Sequence, residues 1–488
     1  METIRVRKLN HASLHLECSS SAAQELNEFF SFYVPGYKFM PAYKRRVWDG
    51  KIRLFARQTG ELPAGLIHHL VQFSRSRDYK IESVKTNYGI PYEEDKIDGG
   101  DITSFCESIG LPYNARDYQR MAVKHGLEKK RAILLSPTGS GKSLIIYMLM
   151  RYILEAQRNN ILIIVPTTSL VEQLYGDFEE YGYDVESHCH RIYSGKDKIT
   201  DKRIIISTWQ SIYKLPKIWF EQFGAIFGDE CHGFKSKSLM TIMNKATEAE
   251  YRYGTTGTLD GTQTHELVLQ GLFGRTFKVT TTKELQDNDT LAKLSIQRLE
   301  LQYPPRLCKE FDTERSYADE IEFIVTLERR NRFIRNLALD QNGNTLVLYN
   351  YVEKHGKPLF DMIEDKANED RKVFFVSGGT DTSDREAIRG IVERMQDAII
   401  VASLGTFSTG INIRNLHNII FASPSKSQIR VLQSIGRGLR KSDDGRKTTL
   451  YDLSDNFTGK NFSLLHSFER LKIYKNEKFD YKTYKVQL

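Results

Sequence analysis

A glycine-rich segment stands out by the type and spacing of its residues, because Ser136–Ser143 reads Ser-Pro-Thr-Gly-Ser-Gly-Lys-Ser. It follows the apolar run AILLS (132–136) and opens an amphipathic helical pattern. Glycines let the backbone curl so that N–H groups and the positive end of a helix face phosphate oxygens. We therefore predict a phosphate-binding loop formed by Pro137, Thr138, Gly139, Ser140, Gly141, Lys142 and Ser143.

Two acidic residues follow another strand-like run, since AIFG (225–228) ends at Asp229 and Glu230. A carboxylate at a strand end can hold a Mg²⁺ ion, and its neighbour can polarise an attacking water. In such a site Lys142 contacts the β- and γ-phosphates and is catalytic, while Ser143 and Asp229 are the metal ligands. With Glu230 as the catalytic carboxylate, the pattern predicts hydrolysis of ATP with Mg²⁺.

A basic motif lies far downstream, at Gln433-Ser-Ile-Gly-Arg437-Gly-Leu-Arg440. Arginines three apart share one face of a helix and can stabilise the transition state of phosphoryl transfer. Arg437, Arg440 and Gln433 are predicted catalytic residues, although a solvated basic helix has the same pattern. We also predict that Arg116, Tyr118 and Gln119 contact the adenine, although an ordinary helix start has the same pattern. Gly410 is predicted to contact the ribose.

The elements that must position these residues are short β-branched runs that alternate with helical patterns. They lie at 132–136, 161–165, 203–207, 225–228, 345–349, 372–376, 398–402, 418–422 and 448–453. Nearly continuous apolar runs are typical of buried parallel strands, and their alternation with helices indicates doubly wound sheets. We predict an α/β protein with two such lobes, separated within the polar stretch 281–293.

Composition shifts divide the chain further. Residues 1–95 are aromatic and basic with frequent turn signals, which favours a small α+β domain, and residues 456–488 are rich in Lys and Tyr with helical spacing. The predicted domains are 1–95 (accessory, DNA-binding), 96–285 (first lobe), 286–455 (second lobe) and 456–488 (short helical C-terminal appendage).

Polar residues follow several predicted strands, at the sheet edge where open α/β sheets bind ligands. Hydroxyl and amide groups there contact a sugar-phosphate backbone without reading its sequence. The predicted nucleic-acid contacts are Thr167, Thr208, Trp209, Gln210, Ser377, Gly378, Ser408 and Thr409. Each of these would be an ordinary turn if it stood alone.

A second candidate surface lies between Tyr37 and Arg57, where seven Lys or Arg and one acid are interleaved with aromatic residues. Basic groups neutralise phosphates and aromatic rings stack on bases. The predicted contacts are Lys44, Arg45, Arg46, Trp48, Lys51 and Arg53. The alternative is that Phe39, Trp48 and Phe55 form the core of a small domain with a solvated basic face.

Composition bounds these hypotheses. The chain has 488 residues, 40% hydrophobic and 27% charged, with a net charge of +8, which fits a polyanionic partner. No apolar run is long enough to span a bilayer and no signal-peptide pattern opens the chain, so we expect a cytoplasmic protein without a membrane partner. Five cysteines without a CxxC pair indicate neither a disulfide framework nor a zinc ribbon.

In this order, the motifs over residues 112–445 resemble those of the superfamily-two helicases. The matching segments are Tyr118-Gln119, SPTGSGKS, PTTSL, STWQS, DECH, TGT, FSTGIN and QSIGRGLR. The resemblance implies two tandem RecA-like P-loop lobes and an ATP-driven helicase. DECH and TGT depart from the DEAD-box spellings, which disfavours an RNA-remodelling helicase as the alternative.

The segment Tyr37–Phe55 resembles the N-terminal domain of the UvsW-type helicases of tailed phages. This resemblance implies a DNA-dependent ATPase in recombination, repair and replication that acts on branched DNA. Its implied activities are Holliday junction migration, fork regression, R-loop unwinding and strand annealing. Duplex DNA and an RNA–DNA hybrid are further implied partners, and the expected location is the host cytoplasm. Because the same chain supplies the arginine finger, Arg437 or Arg440, to its own nucleotide site, the protein is expected to work as a monomer. A scaffold that senses ATP without turnover is the remaining alternative.

Overall fold

The computed structural model describes residues 2–92, 94–156, 158–259, 262–288, 290–311, 315–410, 413, 415–423, 436 and 447–488. The chain forms two compact units: residues 1–136 with 141–279, and residues 280–488, with which residues 137–140 are grouped. The first unit contains the accessory domain and the first lobe, and the second unit contains the second lobe. The domain limits predicted from the sequence stay predictions.

The accessory domain is built on a four-stranded mixed sheet. Its strands are β1 (Thr3–Lys8), β2 (Ser13–Glu17), β5 (Glu61–Pro63) and β6 (Lys80–Val84), in the order β5-β2-β1-β6, and β3 (Ser31–Tyr33) pairs antiparallel with β4 (Lys51–Arg53). Its helices are α1 (Ser20–Phe29), α2 (Pro41–Lys44) and α3 (Ile67–Ser76), with 3₁₀ turns at Tyr37–Phe39 and Ala64–Leu66. The alternating apolar residues of β1 and β2 bury one sheet face against α1 and α3.

The first lobe is a parallel seven-stranded sheet in the order β13-β7-β12-β11-β8-β10-β9. The strands are β7 (Arg131–Leu135), β8 (Asn160–Val165), β9 (Cys189–Ile192), β10 (Ile204–Thr208), β11 (Phe223–Asp229), β12 (Tyr251–Thr256) and β13 (Thr276–Lys278). The helices are α4 (Gly99–Ser108), α5 (Asp117–Lys129), α6 (Lys142–Ala156), α7 (Thr168–Glu180), α8 (Val185–His188), α9 (Trp209–Ile212), α10 (Lys217–Phe220), α11 (Lys237–Lys245) and α12 (Gln263–Phe273), with a 3₁₀ turn at Cys231–Lys235. Two apolar clusters, one on each face, bury this sheet.

The second lobe is another parallel sheet of seven described strands, in the order β16-β17-β15-β18-β19-β14-β20. The strands are β14 (Leu294–Gln302), β15 (Thr345–Tyr349), β16 (Val373–Val376), β17 (Ile399–Ser403), β18 (Asn418–Phe421), β19 (Thr448–Asn456) and β20 (Asp480–Gln487). The described helices are α13 (Thr282–Asp287), α14 (Pro305–Glu310), α15 (Tyr317–Thr326), α16 (Glu328–Asp340), α17 (Lys357–Glu364), α18 (Thr382–Arg394), α19 (Leu404–Gly410) and α20 (Phe462–Asn476), with a π-helical turn at Val352–Gly356.

The structure confirms the predicted α/β class, and each of the nine predicted apolar runs is a parallel strand of one of the two sheets. Five further strands of the two lobes, namely β9, β12, β13, β14 and β20, were not predicted. Their sequences mix polar and apolar residues, so they lack the continuous apolar signal of the other strands.

The C-terminal segment differs most from its prediction as a short helical appendage. Helix α20 is present, but β20 follows it and pairs in parallel with β14 at the sheet edge. A buried ion pair fixes the helix to the same sheet, because the Nε of Arg470 donates to Asp452 of β19 at 2.9 Å and the hydroxyl of Tyr474 donates to the same carboxylate. The segment is therefore part of the second lobe.

None of the helices in the described part of the chain is long and apolar enough to cross a membrane.

Candidate nucleotide site and nucleic-acid surface

The phosphate-binding loop leaves β7 and leads into α6. Its first residue, Ser136, is fully buried, and its backbone N–H donates to the carbonyl of Thr256 at 2.9 Å, which ties the loop to β12. Gly139 and Gly141 have φ values of +82° and +79°, which a residue with a Cβ rarely adopts. The Oγ of Ser140 donates to the carbonyl of Pro137 at 2.6 Å and closes the turn. The backbone is thus curled as the glycine spacing predicts.

Lys142 and Ser143 are the first two residues of α6. The Nζ of Lys142 donates to the carbonyl of Ser136 at 3.3 Å, so the ammonium group lies over the loop where a phosphate would compete for it. The hydroxyl of Ser143 is 2.8 Å from the hydroxyl of Tyr181. A serine that donates its proton to this tyrosine keeps its oxygen lone pairs for a cation. Tyr181 carried no sequence signal for this role.

The predicted acidic pair stands at the carboxyl end of β11, with Asp229 as the last strand residue and Glu230 in the left-handed region at φ 49°. The Oγ1 of Thr255 donates to Asp229 at 2.7 Å. Burial and then the adjacent Glu230 carboxylate raise the pKa of Asp229, while Lys142 opposes them. A divalent cation between Asp229 and Ser143 would relieve this crowding of negative charge, so the donor set fits Mg²⁺.

Glu230 belongs to a small polar cluster with His232 and Thr256. The Nδ1 of His232 lies 3.3 Å from the Oε2 of Glu230 and 3.0 Å from the Oγ1 of Thr256. The cluster joins the acidic motif to the Thr256-Gly257-Thr258 motif on the neighbouring strand. Its members could be found from the sequence as motif residues, but their contact with one another could not.

The predicted adenine contacts lie at the start of α5. The side chain of Gln119 is buried, and its Oε1 accepts the backbone N–H of Arg116 at 2.9 Å in a capping arrangement. A Cβ on Gly141 would lie 2.4 Å from the Gln119 amide nitrogen, so this side chain packs against the phosphate-binding loop. Arg116 donates to the Tyr118 hydroxyl at 3.0 Å. Gln119 is therefore also a structural cap, and the adenine contacts stay predictions.

The strand-end residues of the first lobe are not equally available to a ligand. The Oγ1 of Thr167 caps α7 by accepting the N–H of Leu170 at 3.3 Å, and the Oγ1 of buried Thr208 bonds to Ser211 at 2.9 Å. Trp209 packs against the hydrophobic core, whereas the side chain of Gln210 is exposed. A cavity of about 170 Å³ lies beside the acidic pair, between Pro166, Trp209 and Phe234.

In the second lobe, Ser377 and Gly378 form a turn after β16. The backbone N–H of Ser377 donates to Thr380 at 3.0 Å, and Arg385 donates to the carbonyl of Gly378 at 3.0 Å. Ser408, Thr409 and Gly410 follow β17 as predicted, and they are the last residues of helix α19, which begins directly at the strand end. Gln433, Arg437 and Arg440 lie outside the described residues.

We define the basic patch of the accessory domain as Lys38, Lys44, Arg45, Arg46, Lys51 and Arg53, which are exposed except for the half-buried Lys51. Arg53 is paired with Asp49, and this hydrogen bond lowers the pKa of Asp49 to about 2. The ammonium of Lys51 lies 4.9 Å from the centre of the Tyr33 ring. The three aromatic residues that could have formed the domain core differ in burial. Phe55 is 1% exposed, Trp48 is half-buried and its indole N–H donates to the carbonyl of Lys51, and Phe39 is 80% exposed.

The accessory domain is fixed to the first lobe by several polar contacts. The N–H of His11 donates to the carbonyl of Thr247 at 3.0 Å, Arg131 donates to the carbonyl of His11 at 2.7 Å, and the hydroxyl of Tyr88 donates to Glu248 at 3.0 Å. A cavity of about 410 Å³ remains at this junction. The basic patch therefore belongs to the same compact unit as Lys142 and the acidic pair.

Substitution of Gly65 by alanine is expected to loosen this junction. A Cβ on Gly65 would lie 1.9 Å from the carbonyl oxygen of Gln270 and 2.7 Å from that of Gly271, and neither backbone atom can turn away. Overpacking of this kind costs about 1–3 kcal/mol. We expect a lower thermal midpoint and faster hydrogen exchange in residues 64–76 and 263–274. Gly176→Ala is the control, because its Cβ would meet no atom within 4 Å and alanine favours a helix. Equal exchange in both variants would contradict the expected clash.

Comparisons with known proteins match the accessory domain and both lobes. Residues 3–83 match the family model "DNA helicase UvsW, N-terminal", residues 112–261 match "Type III restriction enzyme, res subunit", and residues 328–442 match "Helicase conserved C-terminal domain". The ATP-dependent DNA helicase uvsW of Enterobacteria phage T4 is 35% identical over 98% of both chains. The DNA 3'-5' translocase XPB2 of Sulfurisphaera tokodaii is 25% identical over 72% of this chain and 84% of its own. The crystal structure of T4 UvsW superposes with a TM-score of 0.52 at 32% identity over 99% of both chains.

Proposed function

This chain belongs to the UvsW family of ATP-dependent DNA helicases, and from that premise we propose that it is a motor for branched DNA. It is an ATP-hydrolysing enzyme that binds DNA. We propose that it migrates Holliday junctions, regresses stalled forks, unwinds R-loops and anneals strands. The observation that carries the proposal is that the exposed basic patch and Lys142 lie in one compact unit. A surface that holds duplex arms then moves together with the lobe that holds ATP.

The proposed site assigns one task to each group. Lys142 and the loop amides bind the β- and γ-phosphates, and Glu230 orients and polarises the attacking water. Ser143 and Asp229 would hold a Mg²⁺ ion, which neutralises charge on the phosphates when bound. Arg437 and Arg440, with Gln433, are proposed to act from the second lobe as an arginine finger, which stabilises charge on the transferred phosphoryl group. Arg116, Tyr118 and Gln119 are proposed to contact the adenine, and Gly410 the ribose.

The proposed DNA contacts follow the same logic. Groups at strand ends, led by Thr167, Gln210 and Ser377, touch the sugar-phosphate backbone without reading the bases. Because one chain carries both the phosphate-binding loop and the proposed finger, we propose that it works as a monomer. An RNA–DNA hybrid is a further proposed substrate, and we place the activity in the host cytoplasm. Turnover of ATP on DNA disfavours both an ATP-sensing scaffold and an RNA-remodelling helicase.

The proposal is tested by measuring ATP hydrolysis with different nucleic acids at equal nucleotide concentration. We expect the largest stimulation by a four-way junction and a model fork, less by linear duplex or single-stranded DNA, and least by duplex RNA. An RNA–DNA hybrid within an R-loop should stimulate like the fork. If linear duplex stimulated as strongly as the junction, branched-DNA specialisation would be wrong. If duplex RNA did so, the substrate class would be wrong.

A further inference from the structure

Two apolar side chains of the accessory domain point into solvent. Phe39 is 80% exposed and Val47 is 76% exposed, and Met40 beside them is 37% exposed. The core of this domain is made by other residues, among them Phe30 and Phe55, which are 0% and 1% exposed. We name Phe39, Met40 and Val47 the apolar tip. Exposure of a phenylalanine to water is unfavourable, so its position suggests a partner rather than a role in folding.

The apolar tip is held by a packed scaffold. The rings of Tyr33 and Tyr37 stack with their centres 4.7 Å apart, and Tyr43 meets Tyr37 edge-on at 4.8 Å. A Cβ on Gly50 would lie 2.2 Å from the Tyr37 ring, so this glycine lets the ring approach the backbone.

Backbone hydrogen bonds hold both ends of the tip. The N–H of Phe39 donates to the carbonyl of Gly36 at 2.9 Å, and that of Val47 donates to the carbonyl of Ala42 at 3.1 Å. The tip is thus presented in a defined geometry, without the ordering cost that a flexible loop would incur on binding.

Positive charge surrounds the tip. Lys38 precedes Phe39 in the chain, and Lys44, Arg45 and Arg46 are the three residues before Val47. Asp49, the one acid between Tyr37 and Arg57, is paired with Arg53, and within the described part of the chain Lys44, Arg45 and Arg46 form no ion pair. Cations that stay unneutralised beside an exposed aromatic ring match a ligand that combines phosphate charge with flat apolar faces. Unpaired nucleotides have both features, whereas a paired duplex offers only the phosphates.

We propose that the apolar tip, with Phe39 as its main contact, stacks on unpaired bases at the branch point of DNA while the basic patch holds the adjoining phosphates. The inference rests on the proposed function and adds to it the feature that distinguishes a branch from a linear duplex. Insertion of an apolar side chain at an intact base step costs unstacking energy. At a branch point the bases are already partly unstacked, so that cost is small and the tip binds there selectively.

The test compares Phe39→Ala with wild type on a four-way junction, a fork and a linear duplex of equal length. Stacking of one base predicts a loss of about tenfold in affinity for the junction and the fork. We expect no change for the duplex and no change in the dependence of affinity on salt. With 2-aminopurine at the branch point, wild type should quench the fluorescence and Phe39→Ala should not. Phe39→Trp should restore both signals, because tryptophan keeps a stacking surface.

Two control variants separate stacking from charge and from general surface effects. Arg45→Ala should weaken binding to all three DNAs and lower the salt slope by about one. Ile218→Ala removes an apolar side chain that is 71% exposed on the first lobe and should change nothing. Thermal midpoints equal to wild type would show that each variant folds.

The outcomes distinguish the inference from the function on which it rests. Wild-type affinity of Phe39→Ala for the junction, or an equal loss on linear duplex, would overturn the inference while branched-DNA stimulation of ATP hydrolysis stood. In that case the tip would be free to bind an acidic protein surface instead. Absence of any DNA stimulation in wild type would overturn the proposed function itself.

Discussion

Replacement of Lys142 by alanine is expected to abolish DNA-stimulated ATP hydrolysis while the first lobe stays folded. The ammonium group is the cation placed over the glycine-rich loop, where it donates to the Ser136 carbonyl. In the transition state it would neutralise charge on the transferred phosphoryl group, and removal of one such donor costs about 100- to 1,000-fold in rate. The measurement is steady-state release of phosphate with saturating junction DNA.

Two further variants make this expectation specific. Lys124→Ala removes a lysine of the same lobe, whose weak contact with Glu128 spans 3.9 Å on the surface of α5, and should hydrolyse ATP normally. Lys142→Arg keeps the charge but replaces a compact ammonium with a planar fork, so we expect only partial activity. Turnover by Lys142→Ala within a few-fold of wild type would contradict the role assigned to this loop.

Substitution of Glu230 by glutamine is expected to block turnover but not ATP binding. The amide keeps the size of the side chain and its contacts with His232 and Thr256, but it loses the charge that polarises water. Loss of a positioned base costs about 10²- to 10⁴-fold in rate. Because the Glu230 carboxylate raises the pKa of Asp229, its removal should favour ionised Asp229 and leave binding of Mg²⁺ and nucleotide equal or tighter.

Single-turnover hydrolysis and titration with a fluorescent ATP analogue separate these two effects. Glu221→Gln is the matched control, because this acid stands just before β11 and forms an ion pair with Lys217 at 3.2 Å. If the Glu230→Gln variant bound the analogue and also hydrolysed ATP at the wild-type rate, another residue would have to be the catalytic base. A variant that bound no nucleotide would assign Glu230 to binding instead.

The contacts between the accessory domain and the first lobe bear on how hydrolysis could act on DNA. Arg131 of the first lobe donates to the backbone carbonyl of His11, and Tyr88 of the accessory domain donates to the carboxylate of Glu248. Displacement of the first lobe would therefore carry the basic patch with it. We therefore expect the Gly65→Ala variant, in which this junction is loosened, to show reduced DNA-stimulated ATP hydrolysis although Lys142 is unchanged.

Several features could be predicted from the sequence because their causes are local. A continuous apolar run such as ILIIV at 161–165 can be stable only as a buried strand or helix, and its length selects the strand. The curled loop around Gly139 and Gly141 follows from the backbone freedom of glycine, and the acidic pair at 229–230 follows from its place after a strand. These signals determined the class of fold and the position of the candidate nucleotide site.

Other features depended on distant partners, and only the tertiary structure decided them. Strand β12 contains Arg252, a charge that argues against a central strand, yet the guanidinium is satisfied by backbone carbonyls of Ala249 at 3.0 Å and Met243 at 2.9 Å. The Lys- and Tyr-rich residues of β20 form a strand because β14 offers an open edge. Neither partner can be read from the local pattern.

The same distinction holds at the functional surfaces. Phe39 and Phe55 are both aromatic residues in one basic segment, and their sequence surroundings do not show which one is buried. Packing placed Phe55 in the core of the accessory domain and left Phe39 in solvent. The sequence by itself determined which chemical groups are present and which strands carry them. Long-range packing decided which groups contact each other and which remain exposed.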